Sequence, residues 1–118
     1  MQTSQSPLPA AFSALQAGRH SDAALLFKQA QPYEPANITL YIGLAYACAG
    51  MGDMAQAEHA IDQALRLDPR NIRSLIFKGV RRHADGEPRK AATYYDAALR
   101  SASTVPQIPQ ELSADLAR

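Results

Sequence analysis

The sequence repeats itself with a period of 34 residues, and this period constrains the fold more than any other feature. One position of each period is glycine, and three others are small or large apolar residues. These positions are Gly18, Gly52 and Gly86; Ala23, Ala57 and Ala91; Ala30, Ala64 and Ala98; and Phe27, Ile61 and Tyr95. A period of this length is typical of solenoids, in which successive units stack because no unit can bury its apolar face alone.

Each period contains two helical patterns separated by a break, as the second period illustrates. Leu40, Leu44 and Ala47 recur at helical spacing, and the glycine-rich stretch 50–52 ends that helix. Asp53 is a favourable N-cap for the next helix, because its carboxylate can accept a backbone N–H of the first turn. The sequence therefore predicts a helix, a short turn and a second helix.

Proline and asparagine mark the boundaries between periods. Pro69 ends a helix because the residue before a proline is disfavoured in the α region. Asn71 is expected to cap the helix that follows. Pro88 is expected at the start of the last period's second helix, where a missing N–H costs little.

The second period resembles a tetratricopeptide repeat, because it carries the residues that this family places along its two helices. They are Tyr41, Leu44, Ala45, Gly52, Ala57, Ile61, Ala64 and Pro69. The other two periods keep most of this pattern and depart from it at single positions. Pro7 replaces the early aromatic residue of the first period, and Lys78 and Ser103 replace a leucine and a proline of the third.

The resemblance implies an all-α fold, a right-handed α-solenoid of three helix-turn-helix repeats. We expect a single tetratricopeptide domain over residues 1–118, with repeats at about 4–37, 38–71 and 72–105. Ile108, Leu112 and Leu116 recur at every fourth residue, which predicts a capping helix at about 107–118 over the last repeat. The chain stops at Arg118 without a glycine cap, so we expect it to be the N-terminal arm of a longer protein.

In tetratricopeptide proteins, the first helices of successive repeats line a concave groove that binds peptides. Carried over to this chain, the resemblance implies a groove lined by Leu8, Phe12, Leu15, Thr39, Ile42, Tyr46, Arg73, Ile76, Val80 and His83. Most of these residues are apolar, which predicts a hydrophobic peptide or an amphipathic helix as the ligand. The alternative is that Leu8, Ile42 and Ile76 only pack the inside of a tight stack.

Some family members clamp a ligand carboxylate with lysine and asparagine side chains. The matching positions here carry Leu8, Phe12 and Phe77, so the clamp is expected to be absent, and only Arg73 fits it. The layout also resembles the repeat segment that precedes the catalytic domain of some bacterial aspartyl/asparaginyl hydroxylase-like oxygenases.

Charge is distributed unevenly along the chain, although its net charge is only +1. Residues 1–69 carry three basic and six acidic side chains, whereas residues 70–100 carry eight basic and three acidic ones. The basic third repeat is either a solvated face or a docking patch for an acidic partner or a second copy. It lacks interleaved aromatic residues and any nucleic-acid-binding motif, which disfavours nucleic acid as the partner.

Catalytic and metal-binding patterns are not found in the sequence. His20, His59 and His83 lie at different positions of their repeats and lack the spacing of a helical metal site. Cys48 replaces a core aromatic residue, which indicates a buried thiol, and a single cysteine cannot form an internal disulfide. We expect no enzyme activity, no cofactor, no signal peptide, no membrane span and a reduced, cytoplasmic setting.

The function predicted from the sequence is protein–protein interaction, as an adaptor or as the recognition arm of a larger protein. Two alternatives remain open: a homo-oligomerisation module, in which a second copy fills the groove, and a secretion-type chaperone that captures an unfolded client. Groove composition constrains the type of ligand and does not identify it.

Overall fold

The computed structural model describes residues 6–104, and within that range it contains six helices and no strand. The helices are α1 (Leu8–Gln16), α2 (His20–Ala30), α3 (Ile38–Gly50), α4 (Met54–Leu67), α5 (Ile72–Ala84) and α6 (Pro88–Thr104). They form three consecutive pairs, so the predicted all-α fold is confirmed. The predicted capping helix at about 107–118 lies outside the described residues.

The repeated glycines end the first helix of every pair. Gly18, Gly52 and Gly86 have φ angles of +79°, +82° and +78°, in the left-handed region that favours glycine. The residue after each glycine donates its N–H to the carbonyl five residues earlier, as Asp53 does to Cys48 at 2.9 Å. This is the Schellman motif, and it explains why one glycine recurs every 34 residues.

Polar caps fix where α3, α4 and α5 begin. The side chains of Asn37, Asp53 and Asn71 each accept a backbone N–H two or three residues later, at 3.0, 3.1 and 2.9 Å. The predicted caps at Asp53 and Asn71 are therefore confirmed. Pro88 is the first residue of α6, also as predicted.

A continuous apolar core joins the first two repeats. Its buried side chains come from α1 to α4, and α3 is buried on most of its sides. Phe27 of α2 is fully buried between the repeats and meets Phe12 edge-on, with 4.9 Å between the ring centroids. A Cβ at position 43 would collide with the Phe27 ring, so Gly43 lets α3 approach α2 closely.

The contact between the second and third repeats includes a cluster of ion pairs between α4 and α5. Lys78 of α5 replaces a leucine of the family pattern and is only 8% exposed. Its ammonium lies 2.7 Å from a carboxylate oxygen of Glu58 and 2.9 Å from one of Asp62, both on α4. Arg82 of α5 reaches the other Glu58 oxygen at 2.7 Å. Part of the basic excess of the third repeat is therefore used to hold that repeat to the acidic second one.

Burial and ion pairing act on the pKa of Lys78 in opposite directions. Burial of the amine disfavours its charged form, but the hydrogen bonds and charges of Glu58 and Asp62 outweigh that effect and raise the pKa above its ordinary value. The ammonium also lies 5.8 Å from the centre of the Tyr94 ring on α6. Lys78 of α5 thus interacts with both α4 and α6 at the junction of the two repeats.

Replacing Gly52 by alanine is expected to lower the free energy of unfolding by about 1–2 kcal/mol, because an L-residue is strained at positive φ. Gly52→Asn should cost less, since asparagine tolerates the left-handed conformation better. Urea denaturation followed by circular dichroism measures both changes. Equal stability of Gly52→Ala and the wild type would contradict this reading of the turn.

Stability is expected to depend on alkaline pH through Lys78. Because its pKa is raised on folding, its stabilising contribution is complete below the unfolded value of 10.5 and is lost as the pH rises through the folded value. The difference in free energy of unfolding between the wild type and Lys78→Met should therefore shift in favour of the variant above that pH. Urea denaturation over a pH series measures this difference.

Lys90→Met is the matched control for this series, because Lys90 is largely exposed and pairs only with Glu87, at 3.0 Å, among the described residues. Its difference from the wild type should stay constant over the same pH interval. A constant difference for Lys78→Met as well would show that its ion pairs do not contribute to folding.

Candidate peptide-binding groove

A cavity of about 450 Å³ lies between α3 and α5, on the side of the stack where the first helices of the last two repeats face solvent. We call it the α3–α5 cavity; it is lined by Tyr46, Ala49, Met54, Arg73, Ile76, Phe77, Val80, Arg81 and Ala84. The α5 residues recur three or four positions apart and therefore share one face of that helix. The α3 residues supply the opposite wall.

The apolar side chains of the cavity are unusually accessible. The exposed fractions of Tyr46, Ile76 and Val80 are 43%, 42% and 55%. Tyr46 meets Phe77 at an angle of 64° with ring centroids 6.2 Å apart, so aromatic surface joins the two walls. Contiguous apolar surface of this kind is typical of interaction sites, which makes the cavity the candidate site.

Two arginines of α5 border the α3–α5 cavity. The Arg81 guanidinium lies 3.3 Å from Asp85 and 3.9 Å from Glu58, so its charge is largely balanced within the protein. Arg73 is exposed and makes no ion pair with any residue between 6 and 104. At 1.5 Å per residue, the two side chains start about 12 Å apart along the helix. One end of the cavity therefore has an uncompensated positive charge.

A second cavity, of about 640 Å³, lies on the other side of Arg73, between the start of α3 and the α4–α5 turn. It is lined by Ile38, Thr39, Ile42, Asp68, Arg70, Asn71, Ile72 and Arg73. Its wall is more polar than that of the α3–α5 cavity. Arg73 thus separates an apolar part of the concave side from a polar part.

The ten residues predicted for the groove fall into separate places. Tyr46, Arg73, Ile76 and Val80 line the α3–α5 cavity, whereas Thr39 and Ile42, with Arg73, line the second cavity. The four predicted residues that meet in the α3–α5 cavity are the strongest feature of the candidate site.

The other predicted residues lie apart from the α3–α5 cavity. Leu8 and Phe12 border a third cavity, of about 380 Å³, at the start of α1. Leu15 is half-buried against the core, and His83 is exposed and lines none of the cavities described for residues 6–104. Leu8 and Ile42 are themselves buried core residues, so substituting them would disturb the fold as well as the surface.

Five of the nine residues that line the α3–α5 cavity are absent from the ten predicted for the groove: Ala49, Met54, Phe77, Arg81 and Ala84. Phe77 and Arg81 lie on the same helical face as Arg73 and Val80, so their spacing was a usable signal. Met54 carried no such signal, because it begins α4 and reaches the cavity only through the sharp turn at Gly52.

The chemistry that the described residues offer is apolar contact and ion pairing. Burial raises the pKa of the Cys48 thiol, which keeps it protonated and poorly nucleophilic near neutral pH. Between residues 6 and 104, no three His, Cys, Asp or Glu side chains come together as a metal site requires. In the same range, none of the helices has both the length and the apolar character needed to cross a lipid bilayer.

Solved structures with the same fold include two bacterial proteins. The crystal structure of MamA has 18% sequence identity and a TM-score of 0.77, over 82% of this chain and 57% of the MamA chain. The type III secretion translocator chaperone SycD of Yersinia enterocolitica has 21% identity and a TM-score of 0.78, over 98% of this chain and 85% of that one. At such identities the likeness is one of fold.

A further SycD structure contains a peptide of the translocator YopD, and it matches with 21% identity and a TM-score of 0.77. It covers 94% of this chain and 84% of the SycD chain. This chain spans just over half the length of MamA, so the activity of that whole protein does not carry over.

A search of curated proteins gives no match. The predicted resemblance to hydroxylase-like oxygenases is not supported by any of the similarities found.

A family model described as tetratricopeptide repeat matches residues 14–76, which is more than half of the 118 residues. The matched span contains two of the three turn glycines, Gly18 and Gly52, and the three polar caps. The chain belongs to the tetratricopeptide repeat family.

Proposed function

We propose that this chain is a protein–protein interaction module whose α3–α5 cavity binds an amphipathic helical segment of another protein. The observation that carries the proposal is the accessibility of Tyr46, Ile76 and Val80 in one apolar cavity. A helical ligand would fill the cavity with apolar residues spaced three or four apart. The module then acts as an adaptor or as the recognition arm of a larger protein, without a catalytic step of its own.

The charge at the cavity rim defines the ligand further. Arg73 has no ion-pair partner among the described residues, and a carboxylate on the ligand beside its apolar stripe would supply one. A ligand with basic residues at that end would be repelled. We therefore expect selected ligands to be apolar on one face and acidic at the end that lies over Arg73.

A secretion-type chaperone is the second candidate function. It is favoured by the likeness to SycD, which extends over nearly the whole chain and includes a complex with a translocator peptide. In that case the bound segment belongs to a client that is unfolded before export. Protection of an added unfolded client from aggregation would distinguish this function from that of an adaptor for folded partners.

Substitution of Val80 by glutamate is expected to weaken peptide binding at least about tenfold, because it places a buried charge against an apolar ligand face. The ligands are helical peptides selected from a display library on the wild-type protein, and fluorescence anisotropy measures their Kd. Val80 is more than half exposed in the free protein, so the circular dichroism spectrum should not change. Ile76→Glu should act in the same direction.

Leu99→Glu is the matched control, since Leu99 lies on α6, is 69% exposed and lines none of the cavities described for residues 6–104. It introduces the same charge at an exposed apolar position and should leave the Kd unchanged. Equal Kd values for Val80→Glu and the wild type would contradict the proposed site.

Light scattering over a range of concentrations tests whether the chain forms a homo-oligomer. If the wild type forms an oligomer and Val80→Glu dissociates it, the ligand of the α3–α5 cavity is a second copy of this chain.

A further inference from the structure

We propose that Glu58 is a positioning residue for the ligand site: it lies outside the α3–α5 cavity and determines the cavity's shape by fixing α5 against α4. The inference rests on the proposed function of that cavity. It begins from the fact that the two walls belong to different repeats. Tyr46 and Ala49 stand on α3, and Ile76 and Val80 on α5, so any shift between the repeats changes the width of the cavity.

The apolar core does not by itself fix that relative position. Its buried cluster comprises residues of α1 to α4, and α5 packs against it through the half-buried Phe77. The non-directional burial of one ring tolerates rotation of a helix about its axis. At the position where the family pattern has leucine, α5 carries Lys78 instead. The contact of α5 with α4 therefore depends on groups whose interactions are directional.

Glu58 is the centre of those interactions. One of its carboxylate oxygens lies 2.7 Å from the Lys78 ammonium, and the other lies 2.7 Å from the Arg82 guanidinium. Lys78 and Arg82 are one helical turn apart on α5, so a single carboxylate of α4 contacts two successive turns. Two contacts along the axis of α5 restrict both its rotation and its translation, which one contact would not do.

The cluster and the cavity share a residue. Arg81 lines the cavity, and its guanidinium also lies 3.9 Å from Glu58. Asp85 lies 3.3 Å from Arg81 and 3.2 Å from Arg82, so it links these two cations of α5 into one group. A displacement of this group away from Glu58 would displace the cavity wall with it.

Loss of the Glu58 charge leaves two cations with too few partners. Lys78 would retain only Asp62, which is itself nearly half exposed, and Arg82 would retain only Asp85, at 3.2 Å. The buried Nε of Arg82 has no hydrogen-bond partner among the described residues. Buried charges with incomplete pairing are unfavourable, and they regain water if α5 moves outward. Opening of the third repeat relative to the first two is thus the expected response.

The test uses Glu58→Gln, with hydrogen–deuterium exchange of each helix and peptide binding as separate measurements. We expect amide exchange in α5 and α6 to become at least about tenfold faster while α2 and α3 exchange as in the wild type, as in a local opening. The Kd of the selected peptides should rise by a similar factor. Glu58→Asp keeps the carboxylate, so its exchange rates in α5 and α6 and its peptide Kd should be close to those of the wild type.

Glu87→Gln is the matched control, because Glu87 is also an acidic residue in an ion pair, but it pairs with Lys90 of its own repeat at 3.0 Å. It should change neither measurement. Lys78→Met removes the buried amine together with its pairing, and it provides a second variant if Glu58→Gln folds poorly.

Each outcome separates this inference from the proposed function. Unchanged exchange in α5 and α6, or equally faster exchange in all helices, would overturn the positioning role. Faster exchange of the third repeat with an unchanged Kd would also overturn it and would leave the peptide site intact. If the selection on the wild type yields no binding peptide, the proposed function fails. Local opening in Glu58→Gln would then still establish Glu58 as the residue that fixes α5.

Discussion

The stack depends on aromatic rings of second helices that lie in spaces left by missing side chains on first helices. Phe27 occupies the space at Gly43 between the first two repeats, and Tyr95 does the same at Gly79 within the third, where a Cβ would lie 2.5 Å from its ring. Each ring lies where a Cβ would otherwise be, so a larger residue than glycine would force the two helices apart. These two contacts help to set the distance between neighbouring helices, and with it the shape of the concave side.

Much of the fold was predictable because its determinants are local. A glycine at positive φ, an asparagine or aspartate at an N-cap and a proline at a helix start each act within a few residues. Gly52, Asp53 and Pro88 were therefore interpreted correctly from the sequence alone. The 34-residue period then indicated that the same local unit occurs three times and must stack.

The site was predictable only in part, because it depends on distances between elements. Tyr46, Ile76 and Val80 were expected on the concave side, and the structure brings them together in one cavity. Ile42 was expected there too, and it borders the neighbouring cavity from within the core. Helical spacing gives the direction of a side chain but not how closely the next helix covers it.

The ion pairs at the junction illustrate the same limit and explain an apparent defect of the sequence. In the sequence alone, Lys78 at a core leucine position conflicts with the apolar pattern of the repeat. The structure resolves the conflict, because α4 places Glu58 and Asp62 beside the lysine. Such buried pairs contribute little net stability compared with a well-packed leucine, but they are directional. Where the second and third repeats form the two walls of the α3–α5 cavity, the direction of an interaction matters more than its strength, and the pair of Lys78 with Glu58 is directional.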